Sequence, residues 1–412
     1  YKNVYRPARV ISYDKESGEL VLHNYMDFDD LKDYVKISYE LTQDGLVISK
    51  GKLPEVSAAP HSDGKINLKI NVPESGKCYL KFIYNLKKEL PLLDEDYILG
   101  FDEIEVSKDD AKCKLAEKWL QKTGVDSELQ VKENDTQIHI KGREFAYTID
   151  KRTALFTEMK FAGREYLNHP MELNIWRAPT DNDMYIKSEW KKAHYDKAYT
   201  RAYTTEVVQG KHGVKIVSHA SVVAETVQKI LDVKITWAID ASGKIDADIA
   251  VTKDDEFPDL PRFGVRMFLD KKLSDARYFG MGPQESYRDK HQAASHGLYQ
   301  ANVGDLHEDY IRPQENGSHY DCEYVEFNNS RYGIVVSAEN AFSFNASYYT
   351  QEELEKKTHN YELTESDSVV FCVDYALNGI GSNSCGPVVL DQYRFDDVLF
   401  RFQFTLIPYV KG

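Results

Sequence analysis

The sequence predicts an all-β protein: a small antiparallel sandwich over residues 1–107, a linker over 108–127, and a large antiparallel supersandwich over 128–412. Apolar residues recur at every second position in run after run, which is the period of a half-buried strand. The composition agrees, with 28 Tyr and 18 Phe against 13 Pro and 23 Gly, because aromatic side chains pack well on pleated surfaces. At 412 residues the chain also exceeds one average domain, so more than one core is expected.

In chain order, Val35, Ile37, Tyr39 and Leu41 fall on one face of a strand. Asp44-Gly45 then supplies a tight hairpin turn, because glycine tolerates positive φ, and Leu46 and Ile48 begin the return strand. Ile66, Leu68, Ile70 and Val72 repeat the period, as do Cys78, Leu80, Phe82, Tyr84 and Leu86. This stretch resembles an immunoglobulin-like sandwich. The pattern then breaks: Asp109 or Asp110 can cap a helix running from Cys113 to Leu120, and Gly124 can stop it. Alternation resumes at Leu129, with helical interruptions from Glu189 to Ala198 and from Thr350 to Lys357. Val398, Phe400, Phe402, Phe404 and Leu406 give the last strand one apolar face. So long a run of strand predicts two stacked, many-stranded sheets in place of a simple barrel.

A formal charge of −15 and the lack of a Lys/Arg cluster argue against a nucleic-acid partner. An acidic, aromatic-rich surface remains compatible with a neutral sugar. Cys78, Cys113, Cys322, Cys372 and Cys385 are too scattered for a disulfide framework or a paired-cysteine metal site, so free thiols are expected. No apolar run approaches the roughly 18 residues that span a bilayer, and no membrane partner is expected. The chain enters strand-like sequence directly at Tyr1, which suggests an upstream region and leaves localisation signals out of view.

Three segments read as ligand-facing loops. In Asn174 to Asp183, Trp176 could stack on a sugar face while Arg177, Asp181, Asn182 and Asp183 donate to or accept from hydroxyls. The same residues could instead bond their own backbone and form an internal ion pair. Phe279 to Asp289 and Tyr310 to Gly317 each carry a Pro-Gln-Glu triplet, which sets Glu285 and Glu315 just after a rigid bend, near Arg288 and Arg312. These glutamates could contact a ligand or tie the sheets together. Asn378 to Pro387 is a Gly- and Ser-rich hinge able to approach a neighbouring domain closely. His291, His296, His307 and His319 raise a rival chemistry, in which a histidine acid and a glutamate base open and reclose a sugar ring. Glycoside hydrolysis needs two carboxylates facing each other across about 5 to 9 Å, commonly at the ends of barrel strands. The alternating strand and helix sequence of such a barrel is missing here.

The runs Trp176 to Asp183, Gly280 to Tyr287 and Tyr310 to Gly317 closely resemble the small-chain signature of the β-galactosidases of glycoside hydrolase family two. The stretch from Tyr5-Arg6-Pro7 to Asp44-Gly45 is similar to the sandwich that follows the barrel in those enzymes. The resemblance implies an immunoglobulin-like domain followed by a galactose-mutarotase-like supersandwich, within an enzyme that hydrolyses terminal β-galactosides with retention. It places the two catalytic glutamates and the divalent or monovalent metal in the barrel, so this chain is expected to carry no catalytic residue, metal ligand or cofactor. The expected partners are the barrel and a galactoside, and a homo-oligomer is admitted because relatives form dimers or tetramers. The supersandwich lends the active site a loop, at positions matching Asn383, Ser384 and Cys385. Some relatives carry Trp in place of Cys385 as a sugar platform. The alternatives are an independent carbohydrate-binding module around Trp176, Arg177 and Glu285, and an aldose mutarotase-like enzyme.

Overall fold

The computed structural model describes residues 1–108, 112–120 and 129–411. It is all-β, and it divides into two compact units: Tyr1–Leu115 with Gln292–Leu298, and Ala116–His291 with Tyr299–Gly412.

The first unit holds β1 (Ala8–Tyr13), β2 (Glu19–Asn24), β3 (Val35–Gln43), β4 (Leu46–Lys52), β5 (Asp63–Asn67), β6 (Cys78–Leu86) and β7 (Ile98–Glu105). They form two antiparallel sheets ordered β1-β2-β5 and β4-β3-β6-β7. That is the Greek-key division of an immunoglobulin-like sandwich. Alternation builds its core: Leu80, Phe82 and Tyr84 on β6 are fully buried, Ile37 and Leu41 lie beside them on β3, and Leu20 and Leu22 of the other sheet join the same cluster. The β3–β4 hairpin turns at Asp44 (φ 48°) and Gly45 (φ 80°), as the Asp-Gly pair predicts.

One expected strand is shorter than its pattern. Of Ile66, Leu68, Ile70 and Val72, only Ile66 lies in β5. The partner β2 begins at Glu19, opposite Asn67, and Gly18 turns away at φ 78°, so the later residues have no ladder to join. Their side chains still pack against the core. Apolar periodicity reports the buried face, whereas a strand also needs a neighbour. The linker helix is likewise reduced to Glu117–Leu120. Its expected caps Asp109 and Asp110, and its stop Gly124, lie outside the described residues.

The second unit contains β8 (Gln130–Glu133), β9 (Gln137–Lys141), β10 (Phe145–Asp150), β11 (Leu155–Phe161) and β12 (Arg164–Glu165), which form one antiparallel meander. The remaining strands are β13 (Leu167–Asn174), β14 (Tyr199–Gln209), β15 (Gly213–Val223), β16 (Leu231–Asp240), β17 (Ile245–Lys253), β18 (Arg262–Asp270), β19 (Asp275–Gly282), β20 (Ser295–Asn302), β21 (Ser318–Asn328), β22 (Tyr332–Ser347), β23 (Ser368–Leu377) and β24 (Leu399–Val410). They make a 12-stranded sheet whose main path runs β13-β18-β23-β22-β24-β17-β16-β15-β14, with β21 on β22, β19 on β21 and β20 on β19. The two sheets share one core. Trp237 of β16 meets Phe156 of β11 edge to face at 5.0 Å and donates from Nε1 to Ala154 O at 2.8 Å. Phe400, Phe402, Phe404 and Leu406 point inward as their spacing predicts, whereas Val398 precedes β24 and is exposed.

The helical interruptions are short. One runs Ile186–Lys192, followed by a 3-10 turn at Tyr195–Lys197, so it starts ahead of the expected Glu189. The other runs Gln351–Lys356, with the Thr350 hydroxyl capping Glu353 N at 3.1 Å.

Candidate functional site

The three sequence segments converge in the second unit. β13 ends at Asn174, and the chain passes through Arg177 into a 3-10 turn at Asp181–Asp183. Arg177 is fully buried. Its Nε and Nη2 donate to the two Asp183 oxygens at 3.1 and 2.7 Å, a fork-to-fork pair, while Asp183 also accepts from Thr180 N at 2.9 Å. Burial, the largest single influence, opposes the guanidinium's charge, but Asp183, Glu315 and Tyr287 together outweigh it, so the Arg177 pKa is raised. The remaining donors of Arg177 reach the third segment: Nη1 to Asn378 O at 2.5 Å and Nη2 to Gly379 O at 3.1 Å.

Asn182 continues the grip. Its Nδ2 donates to Gly381 O at 2.7 Å, and its Oδ1 accepts from Ser384 Oγ at 2.7 Å and Ser384 N at 3.3 Å. On the opposite side Asp289, which closes the second segment, accepts from Ile380 N at 2.9 Å and Gly381 N at 2.7 Å. Gly381 sits at φ 66°, and a Cβ at Gly379 would come 2.8 Å from Asp289 Oδ2, so both glycines are needed for this close wrapping. The loop clamped in this way presents Ser384 and Cys385 to solvent, with Asn383 half-buried.

The two Pro-Gln-Glu triplets are structural in geometry. Glu285 accepts from Tyr310 Oη at 2.5 Å, from Gly317 N at 2.9 Å and from Lys290 Nζ. Glu315 is buried, and its Oε2 accepts from Arg262 Nη1 at 3.2 Å; Arg262 also pairs bidentately with Asp374 at 3.1 and 2.5 Å. Burial pushes the Glu315 carboxyl up, while Arg262 and Arg177 pull it back. Backbone bonds join the segments: Glu315 N donates to Ala178 O at 3.0 Å and Asp181 N to Gln314 Oε1 at 3.1 Å. Arg312 is exposed; among the described residues only its carbonyl is engaged, by Gln314 Nε2 at 3.1 Å. Trp176 is 4% exposed, donates from Nε1 to Glu355 at 3.2 Å and meets Trp190 edge to face, so its ring is enclosed.

The histidines do not gather. His319 is 1% exposed, and burial lowers its pKa to about 4. Its Nδ1 donates to Met281 O at 3.2 Å, and its Nε2 meets no partner among the described residues. His307 is also lowered by burial, His291 Nδ1 lies 3.1 Å from Tyr287 O, and His296 belongs to the first unit, where it pairs with Glu103 at 2.9 Å. Among the described residues no three His, Cys, Asp or Glu side chains could together hold a metal ion, and no helix is long and apolar enough to cross a membrane. All five cysteines are free thiols, with Cys385 exposed.

Sequence reasoning missed Asp289, Arg262 and Asp374. Asp289 stood inside a quoted motif, but its partners Ile380 and Gly381 lie 91 and 92 residues away. Arg262 and Asp374 sit on β18 and β23, inside strands whose apolar period gives no signal for a buried ion pair.

Residues 141–406 match the family described as "Beta galactosidase small chain", and residues 20–107 match "Beta-galactosidase, domain 4". The chain is 42% identical to a β-galactosidase of Actinobacillus pleuropneumoniae over 98% of its own length and 39% of that protein. It is 30% identical to one of Staphylococcus xylosus over 98% of its own length and 40% of that protein. The chain thus spans about 40% of the length of these relatives. A galactose 1-epimerase structure from Lactobacillus acidophilus aligns with 70% of this chain and 100% of its own at 8% identity and TM-score 0.36, and no chemistry follows from so distant a likeness.

Proposed function

This chain belongs to the β-galactosidase small-chain family, and from that premise we propose that it is the non-catalytic C-terminal part, or separate small subunit, of an enzyme that hydrolyses terminal β-galactosides. Its role is to support a catalytic barrel and to lend the loop around Asn383, Ser384 and Cys385 to the rim of the barrel's pocket.

The observation that carries this reading is the clamp on that loop. Arg177, Asn182 and Asp289 fix four consecutive residues and Ser384 through direct hydrogen bonds. Such investment in an exposed turn suits a segment whose position matters to a neighbour. The acidic residues of the motifs are occupied in the same work. Asp183, Glu285 and Asp289 each accept from fixed donors, and Glu315 is tied through Oε2 to Arg262, which suits structural carboxylates. The loop position offers Cys385, a small thiol, where a broad aromatic platform would hold a sugar face, which favours a looser grip on the galactoside.

The test is reconstitution. Adding this chain to a separately expressed upstream region of the same enzyme restores hydrolysis of a nitrophenyl β-galactoside, with a rate that saturates as chain is added. Failure to restore any rate, with both parts folded, contradicts the proposal.

A further inference from the structure

A cavity of about 240 Å³ opens on the face of the large sheet where β21, β22 and β23 run side by side. Its polar lining comes from Arg288, Tyr320, Asp321, Ser343, Tyr375 and Asp397. None of these residues served in the loop clamp.

The lining groups bring hydrogen-bonding side chains of both kinds, donors and acceptors, to one wall. Ser343 is 6% exposed and brings a hydroxyl to the wall of the cavity. The Tyr320 and Tyr375 hydroxyls and the Asp397 carboxylate also line it; burial raises the Tyr375 and Asp397 pKa values, and the nearby Arg288 guanidinium pulls both back. Arg288 uses one donor, Nη1 to Arg394 O at 3.0 Å, and its other N–H groups are left over. The rings are held firmly. Tyr375 stacks on Phe400 at 4.8 Å, and Tyr320 stacks on His291 at 5.8 Å.

The backbone is also shaped for this cavity. The β21–β22 register slips twice, between His319 and Cys322 and again between Cys322 and Tyr324. Within the slip Asp321 adopts φ 55°, a left-handed conformation uncommon for a residue with a side chain. Bulges of this kind re-aim side chains, here Tyr320 and Asp321, and recur beside binding sites.

We infer that this cavity binds a single neutral sugar ring. The lining mixes donors with acceptors, as the vicinal hydroxyls of a sugar require, since each hydroxyl both gives and takes a hydrogen bond. Tyrosine faces cover the apolar C–H surface of such a ring. One guanidinium against two carboxylates disfavours an anion, and the guanidinium disfavours a cation. The volume lies just under the roughly 300 Å³ at which pockets for larger ligands begin, which suits one ring and not two.

The inference stands apart from the chain's place in a larger enzyme, so it is tested on the 412-residue chain alone. Titration calorimetry with D-galactose and D-glucose is expected to show saturable binding of at least one, with Kd of about 1–10 mM, as suits a small polar ligand. Asp397→Asn and Tyr375→Phe, which preserve shape, each weaken it by about tenfold at unchanged melting temperature. No saturable heat with either sugar at 100 mM overturns the inference. Equal affinity in both variants, or lactose binding more tightly than either single sugar, does the same.

Discussion

His319 shows at the scale of one residue how burial sets charge. Its folded pKa of about 4 lies below its ordinary value of 6.5, because enclosure disfavours the cation. Above pH 6.5 the residue is neutral in both states and contributes no pH dependence. As pH falls from 6.5 toward 4 the unfolded chain takes up a proton that the folded chain refuses, so stability is lost across that window by roughly 3 kcal/mol. Urea unfolding measured from pH 7 to pH 4 shows this slope in the native chain and a shallower one in His319→Phe, which keeps the stacking on Phe344. An unchanged slope contradicts the assignment. Arg262 gives a second case. Replacing it by Met strands Asp374 and Glu315 as buried, unpaired carboxylates, with an expected cost of about 3–5 kcal/mol read as a fall in urea midpoint. Neither residue's role could be read from sequence, since a histidine or arginine inside an alternating strand looks the same whether paired or free.

At the scale of elements, the loop following β23 depends on carboxylate-to-amide bonds. Asp289→Ala removes the acceptor for Ile380 and Gly381 while leaving the Arg177–Asp183 pair intact. In the assembled enzyme this change is expected to raise KM severalfold with a smaller effect on kcat, because Asp289 positions the loop and touches no reacting atom. A fall in kcat of a thousandfold at unchanged KM contradicts a positioning role. The strands themselves were largely legible. β6 follows its period from Cys78 to Leu86, and the Asp44-Gly45 turn is where an Asp-Gly pair belongs. The failures were of pairing: Leu68, Ile70 and Val72 are half-buried against the core but lack a neighbouring strand, and Val398 lies ahead of β24. Pattern reports which face is buried, and only the fold reports what lies alongside.

For the whole molecule, the three motifs were recognisable as distinctive sequence, but their meeting was not. Segments around residues 180, 289, 315 and 380 are brought together by sheet order, with β18 and β23 adjacent although more than ninety residues separate them along the chain. The three segments meet as a clamp around one presented loop, and the alternation that predicted the sheets says nothing of which polar groups they enclose. On the proposed function, the carboxylates of the motifs hold structure while bond breaking belongs to a separate fold. The most direct measurement is hydrolysis of nitrophenyl β-galactoside by the purified 412-residue chain, at concentrations up to 100 µM. The expected rate equals that of buffer. A rate proportional to chain concentration, abolished by Glu285→Gln or Glu315→Gln, would contradict it.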